Sequence, residues 1–204
     1  MSINNNILLQ IKLAVAIALA DNEFVHSEEK TIKKWFDKEI AAEGERTQNN
    51  LKKELDKELK SISELVKSNQ LGLEYIYYEI NSINNKHLKY QAMDLAIEVM
   101  VADSTIHPKE VALIHEIVEE LNLDSATAKK YILKQILKME KPPKSIDIEG
   151  LLKINPTVSN KVSRNIIQKE FARWVSATIT SDEKQKEYSQ KMIDIISKVR
   201  EKYA

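Results

Sequence analysis

The chain has 204 residues, enough for one large domain or two small ones. With 43% apolar residues but only 3 Gly and 4 Pro, it favours long helices with few turns and has no room for the usual glycine-rich phosphate loop. Its 31 basic and 31 acidic side chains cancel overall but not locally: residues 1–140 carry 18 basic against 23 acidic groups and residues 141–204 carry 13 against 8, a split that supports two modules and falls short of a nucleic-acid-binding signature. The absence of cysteine excludes disulfides, thiolate catalysis and Cys-based zinc sites.

Ile3–Ala20 reads as a helix that is apolar on most sides and therefore buried. Its run from Ile7 to Ala20 is broken by Gln10 and Lys12 and falls short of the ~20 residues that span a bilayer. Only Met1–Asn6, with no basic residue, precede it, which makes a poor signal peptide, so a soluble cytoplasmic protein is expected. Ser27–Ala41 reads as a second helix with Ile32, Trp35 and Phe36 on one face. Asn49–Lys67 is a charged amphipathic helix whose Leu51, Leu55, Leu59, Ile62, Leu65 and Val66 recur at helical spacing under a solvated Lys/Glu face. Leu71–Ile83 carries Tyr75, Tyr77 and Tyr78, expected to pack with their hydroxyls at the surface. Lys86–Val101 and Pro108–Leu121 follow, and Asp124 is placed to cap a seventh helix through Met139. Lys141-Pro142-Pro143-Lys144 stops helix and marks a boundary, because neither proline donates a backbone hydrogen bond. Three further helical segments read as Ile146–Ile154, Val158–Val175 and Asp182–Tyr203, and no strand pattern stands out.

One pattern occurs twice. Leu13-Ala14-Val15-x-Ile17-x-Leu19-Ala20-Asp21 is echoed by Leu95-Ala96-Ile97-x-Val99-x-Val101-Ala102-Asp103, and Val25-His26-Ser27-Glu28-Glu29 by Ile106-His107-Pro108-Lys109-Glu110. The offset is 82 residues up to the aspartate and 81 from the histidine, which puts one extra residue in the first loop. A duplicated helix–loop–helix predicts an all-α fold: a pseudo-two-fold helical bundle over 1–140 with a small helical module over 141–204.

Physically, His26 and His107 fall at or beside a helix N-cap, and Glu29 and Glu110 fall at the third helical position. A glutamate there reaches back to the cap amide and complements the positive helix end. Asp21 and Asp103 close the preceding helices, where they can accept hydrogen bonds from loop amides. This reading needs no ligand. The alternative brings Asp21, Glu29, Asp103 and Glu110 together as a divalent-metal site, since carboxylates suit calcium or magnesium and an added histidine would favour zinc or manganese. The loops lack the alternating acidic ligands of an EF-hand. His87 and His115 read as ordinary exposed or half-buried residues. His26 and Ser27 are sequence neighbours, not a nucleophile with its base.

The Ala20-Asp21…Val25-His26-x-x-Glu29 and Ala102-Asp103-x-x-Ile106-His107-Pro108-x-Glu110 motifs resemble those of the TerB-like family, whose modules are named from tellurite-resistance gene clusters. The resemblance covers about residues 5–140, with Asn22 and Ser104 standing where the family pattern has Gly. It implies an all-helical domain, a cytoplasmic stress-response or phage-defence role beside ATPases or membrane proteins, and a divalent-metal site on the acidic residues of the motif.

Farther on, Ile148-x-Gly150-Leu151-Leu152-x-Ile154-Asn155-Pro156-x-Val158-Ser159, a basic helix with Ile166, Ile167, Phe171 and Trp174, and a last helix with Met192, Ile193, Ile195, Ile196 and Val199 together resemble a degenerate J domain. Ser176-Ala177-Thr178-Ile179-Thr180-Ser181-Asp182 stands where that family carries His-Pro-Asp, which implies an adaptor that does not stimulate a heat-shock ATPase. Lys161, Arg164, Lys169 and Arg173 form a basic helix face, read either as a solvated surface or as a contact for protein or nucleic acid. The expected function is a non-enzymatic adaptor or sensor of a bacterial stress-response or anti-phage system, working with an ATPase or helicase encoded nearby. The alternatives are a metal-dependent hydrolase built on the Asp/His/Glu cluster and a membrane-surface tellurite- or stress-resistance protein acting through a partner.

Overall fold

The computed structural model describes residues 2–103, 105–138, 145–146, 148–152, 154 and 160–203. Among them the helices are α1 (Asn5–Ala18), α2 (His26–Glu39), α3 (Glu45–Lys67), α4 (Leu73–Ser82), α5 (Lys86–Met100), α6 (Pro108–Glu120), α7 (Ser125–Lys138), α8 (Ile148–Leu151), α9 (Asn160–Ala177) and α10 (Glu183–Lys202). The all-α expectation holds. It misses one small element, a parallel pairing of β1 (Thr105–Ile106) with β2 (Ser145–Ile146) in register Thr105↔Ser145 and Ile106↔Ile146. Two residues per strand are too few for a periodicity to show. The Lys141–Lys144 boundary and the Asn155–Ser159 stretch of the J-like pattern lie outside the described residues.

α1 runs through the centre because nearly every side of it is apolar. Leu9, Ile11 and every residue from Leu13 to Leu19 are buried. Its most extensive partner is α5, which buries Leu95, Ala96, Ile97, Val99 and Met100, and α2, α3, α4 and α6 pack around this pair. The two copies of the repeat therefore form the core of one bundle. Ala18 is fully buried there. Ala18→Leu is expected to cost about 1–3 kcal/mol by overpacking. A urea transition that does not move would remove α1 from the centre.

The helix ends show how a chain so poor in glycine turns its corners. Asn22, Asn69, Asn84 and Asn122 all have positive φ, at 77°, 56°, 50° and 53°, and asparagine tolerates this left-handed region better than other side chains. At Asn69 and Asn122 the closing hydrogen bonds are Gln70 N to Leu65 O (2.8 Å) and Leu123 N to Val118 O (2.9 Å), which satisfy carbonyls the helix leaves open.

α3 lays Leu51, Leu55, Leu59 and Ile62 on the core and is held to α2 from the polar side by Lys33–Asp56 (2.7 Å) and Lys52–Asp37 (3.0 Å). On α4 the tyrosines divide. Tyr77 shares the buried face of Ile76 and Ile80 and donates to Glu116 Oε1 at 3.1 Å, whereas Tyr75 and Tyr78 are 63% and 70% exposed. The expectation that all three pack fails for those two, because positions one residue to either side of an apolar stripe point off it. Asp124 caps α7 as expected, accepting from Thr127 N at 2.7 Å.

In the C-terminal part, α9 and α10 form an antiparallel hairpin that buries Ile167, Trp174, Tyr188, Met192 and Ile196, with the Trp174 and Tyr188 rings 6.1 Å apart. Lys129 of α7 reaches Glu170 of α9 at 2.8 Å. The buried apolar residues of both portions belong to one contiguous cluster.

Candidate functional site: the paired acidic loops

The loop after α1 and the loop after α5 have the same construction. Asp21 Oδ1 accepts from Glu23 N at 2.8 Å, and Asp103 Oδ1 accepts from Thr105 N at 2.8 Å. At the far end of each loop a glutamate in the first helical turn reaches back to the cap amide: Glu28 Oε2 to Val25 N at 2.9 Å and Glu110 Oε2 to His107 N at 2.7 Å. Each loop is thus pinned at both ends by a carboxylate, which satisfies amides that a helix start would otherwise leave open.

This geometry corrects the sequence register. α2 begins at His26 and α6 at Pro108, and their N-caps are Val25 and His107. The offset is therefore 82 throughout, with no extra residue in the first loop, and the counterpart of Glu110 is Glu28, not Glu29. Matching histidine to histidine slipped the frame by one. His26 is exposed at the first helical position, while His107 is a true cap, its Nδ1 accepting from Lys109 N at 3.3 Å. Glu29 turns outward to Lys33 at 2.7 Å, and Lys33 also binds Asp56. Phe24 at offset 82 and Val25 at offset 81 are both apolar counterparts of Ile106, so the chain alone does not separate Glu28 from Glu29.

Glu28 and Glu110 are only 4% and 3% exposed. Burial pushes both carboxyls up to about 8, against the lowering effect of the Val25 and His107 amides. Asp103 and Asp21 raise both further, and Glu28 also raises Glu110. The fold therefore places Asp21, Glu28, Asp103 and Glu110 within one another's electrostatic reach, and this set replaces the predicted quartet by exchanging Glu29 for Glu28. Its simplest chemistry is to hold protons near neutral pH.

Carboxylate oxygens are the right donors for a hard divalent cation, but one oxygen of each acid is already committed to a loop amide. Among the described residues no three His, Asp or Glu side chains stand close enough together to hold a metal ion. As placed, the two glutamates fit their helix caps and the two aspartates their loop amides. Titration calorimetry with calcium, magnesium, manganese and zinc is expected to give no heat that Asp103→Asn abolishes. A saturating heat lost in that variant would show that the acids close around a cation.

The other predicted residues lie on α9. Lys161, Arg164, Lys169 and Arg173 are all exposed. Their spacing spreads them over about half of the helix circumference rather than along one stripe. Two are engaged within the chain: Arg164 Nε donates to the Tyr203 carbonyl, and Arg173 lies 3.9 Å from Glu170. His115, read from the sequence as an ordinary residue, has its Nε2 at 2.9 Å from the Gly150 carbonyl and so joins α6 to α8.

A family model described as tellurite resistance protein TerB matches residues 8–131, which is more than half of the chain and takes in both acidic loops, so the chain belongs to that family. No curated protein and no solved structure matches it.

Proposed function

We propose that this TerB-family chain is a non-enzymatic cytoplasmic adaptor or sensor of a bacterial stress-response or anti-phage system, and that its C-terminal helices engage a partner ATPase or helicase. The observation that carries this reading is the surface of α9 and its hairpin turn, beyond the span matched to the family. Val175 and Ile179 are 42% and 86% exposed at the C-terminal end of α9 and in the turn, and Val162 is 46% exposed near the start of the helix, which also bears the exposed cations Lys161 and Lys169. Exposed apolar groups interspersed with charge are what a protein partner covers. The acidic loops support the non-enzymatic reading, because each carboxylate already holds a backbone amide of its loop or helix start. No helix among the described residues is long and apolar enough to cross a membrane.

The test is co-purification of the full chain with the ATPase or helicase encoded beside it. Lys161→Glu together with Lys169→Glu and Ile179→Asp is expected to abolish the association. A wild-type chain that does not associate overturns the adaptor reading, and a triple variant that still binds overturns this surface.

The turn between α9 and α10 reads Thr178-Ile179-Thr180-Ser181-Asp182 and carries no His-Pro-Asp. The full chain is therefore expected to leave the steady-state ATP turnover of a heat-shock chaperone unchanged. Stimulation like that by a working co-chaperone would refute that expectation.

A further inference from the structure

The two acidic loops are alike in their own bonds but not in what lies against them. In the second loop the residues between the two carboxylate clamps are Thr105 and Ile106, and these pair with Ser145 and Ile146. Thr105 supplies its amide to Asp103, so the carboxylate and the pairing act on the same residue. The chain then enters α8, where Ile148 and Leu151 are buried and the Gly150 carbonyl meets His115 Nε2. Glu149 in that helix accepts from Tyr203 Oη at 2.8 Å and from Lys202 Nζ at 3.2 Å, at the end of α10. A continuous series of contacts therefore runs from Asp103 and Glu110 through 105–106, 145–146 and 148–151 to the end of the terminal hairpin. Among the described residues the first loop has no such pairing: Glu23 and Phe24, which correspond to Thr105 and Ile106, are in no strand, and Glu23 is exposed.

We propose that the second acidic loop, and not the first, couples the family domain to the C-terminal helices. Loss of the hold that Asp103 and Glu110 have on the loop amides loosens the Thr105–Ile106 pairing and with it the docking of residues 145–146 and 148–152. The pairing suits this role because it is only two residues long. So short a pairing contributes few hydrogen bonds and opens readily when the loop beside it is released. The coupling extends the adaptor reading by giving the partner-binding hairpin an input.

Hydrogen exchange on the full chain tests this without any partner, so failure of the coupling and failure of partner binding are separate results. In Asp103→Ala, which removes the acceptor for Thr105 N, exchange of the amides of 145–152 is expected to rise about fivefold, the size of one lost hydrogen bond. In Asp21→Ala, which removes the equivalent bond in the first loop, residues 22–25 should exchange faster while 145–152 stay as in the wild type. Equal effects of the two variants on 145–152, or none from either, overturn the proposal. Global loosening is recognised by faster exchange in α1, and in that case Ser145→Pro cuts the pairing from the other side. It should speed exchange at 105–107 and leave 22–25 unchanged, because coupling is reciprocal. No change at 105–107 overturns the proposal.

Discussion

The urea midpoint of the full chain is expected to fall as pH rises from about 5 to about 9, and Glu110→Gln is expected to remove much of that fall. In the unfolded chain the Glu28 and Glu110 carboxyls ionise near 4.5, while burial in the folded chain holds their protons up to about 8. Between those values the native state keeps protons that the unfolded state has released, so each step up in pH favours unfolding. The contribution of these groups is complete below about 4.5 and is lost as pH passes about 8. Glutamine copies the protonated acid, because its amide oxygen can still accept from His107 N and it carries no charge. Glu110→Gln should therefore match the wild type near pH 5 and exceed it by about 1–3 kcal/mol near pH 9, well below the ceiling set by 1.4 kcal/mol per pKa unit. Part of that gain comes from Glu28, which loses a like charge as neighbour. Glu29→Gln should not change the pH profile in this way, since Glu29 lies outside the cluster and pairs with Lys33. A midpoint that rises from pH 6 to 9, or a Glu110→Gln variant that is less stable at pH 9, would contradict the burial of these acids.

Phe36→Ala is expected to destabilise the chain by about 3–5 kcal/mol, through lost apolar transfer and the cavity left behind. Phe36 is fully buried on α2, one turn from the fully buried Ile32. Trp35 is larger but only half-buried, packed at the margin of the same core. Trp35→Ala should therefore cost distinctly less, although it deletes more atoms. Urea or thermal unfolding of the two variants decides the order, and a larger loss for Trp35→Ala would mean that α2 presents a different face. A loss of this size is a large share of the 5–15 kcal/mol that holds an ordinary domain folded.

The identity of the helices and the centrality of α1 and α5 were legible in the chain, because burial on most sides requires a helix nearly free of charge, and Leu13–Ala20 has no charged residue and Leu95–Ala102 only Glu98. The leucine stripe of α3 was legible for the same reason: a period of 3.6 writes the buried face into the sequence. The Asp124 cap and the acids of the repeat were also readable, since capping is local chemistry within four residues. The register between the two repeats was not read correctly. Two adjacent glutamates in the first copy each satisfied the spacing, and only the helix start at His26 assigns Glu28 to the cap and Glu29 to Lys33. The division of the tyrosines on α4 likewise depended on which side of the helix meets α6.

What the tertiary structure alone decided is what each loop meets. Asp21 and Asp103 make the same local hydrogen bond, and nothing within either motif distinguishes them. The pairing of Thr105–Ile106 with Ser145–Ile146 joins residues 40 apart, and the electrostatic coupling of Glu28 with Glu110 joins residues 82 apart. A local motif specifies its own hydrogen bonds. Burial of its carboxyls, the resulting hold on their protons and the strand laid across one loop arise only when distant segments exclude water together.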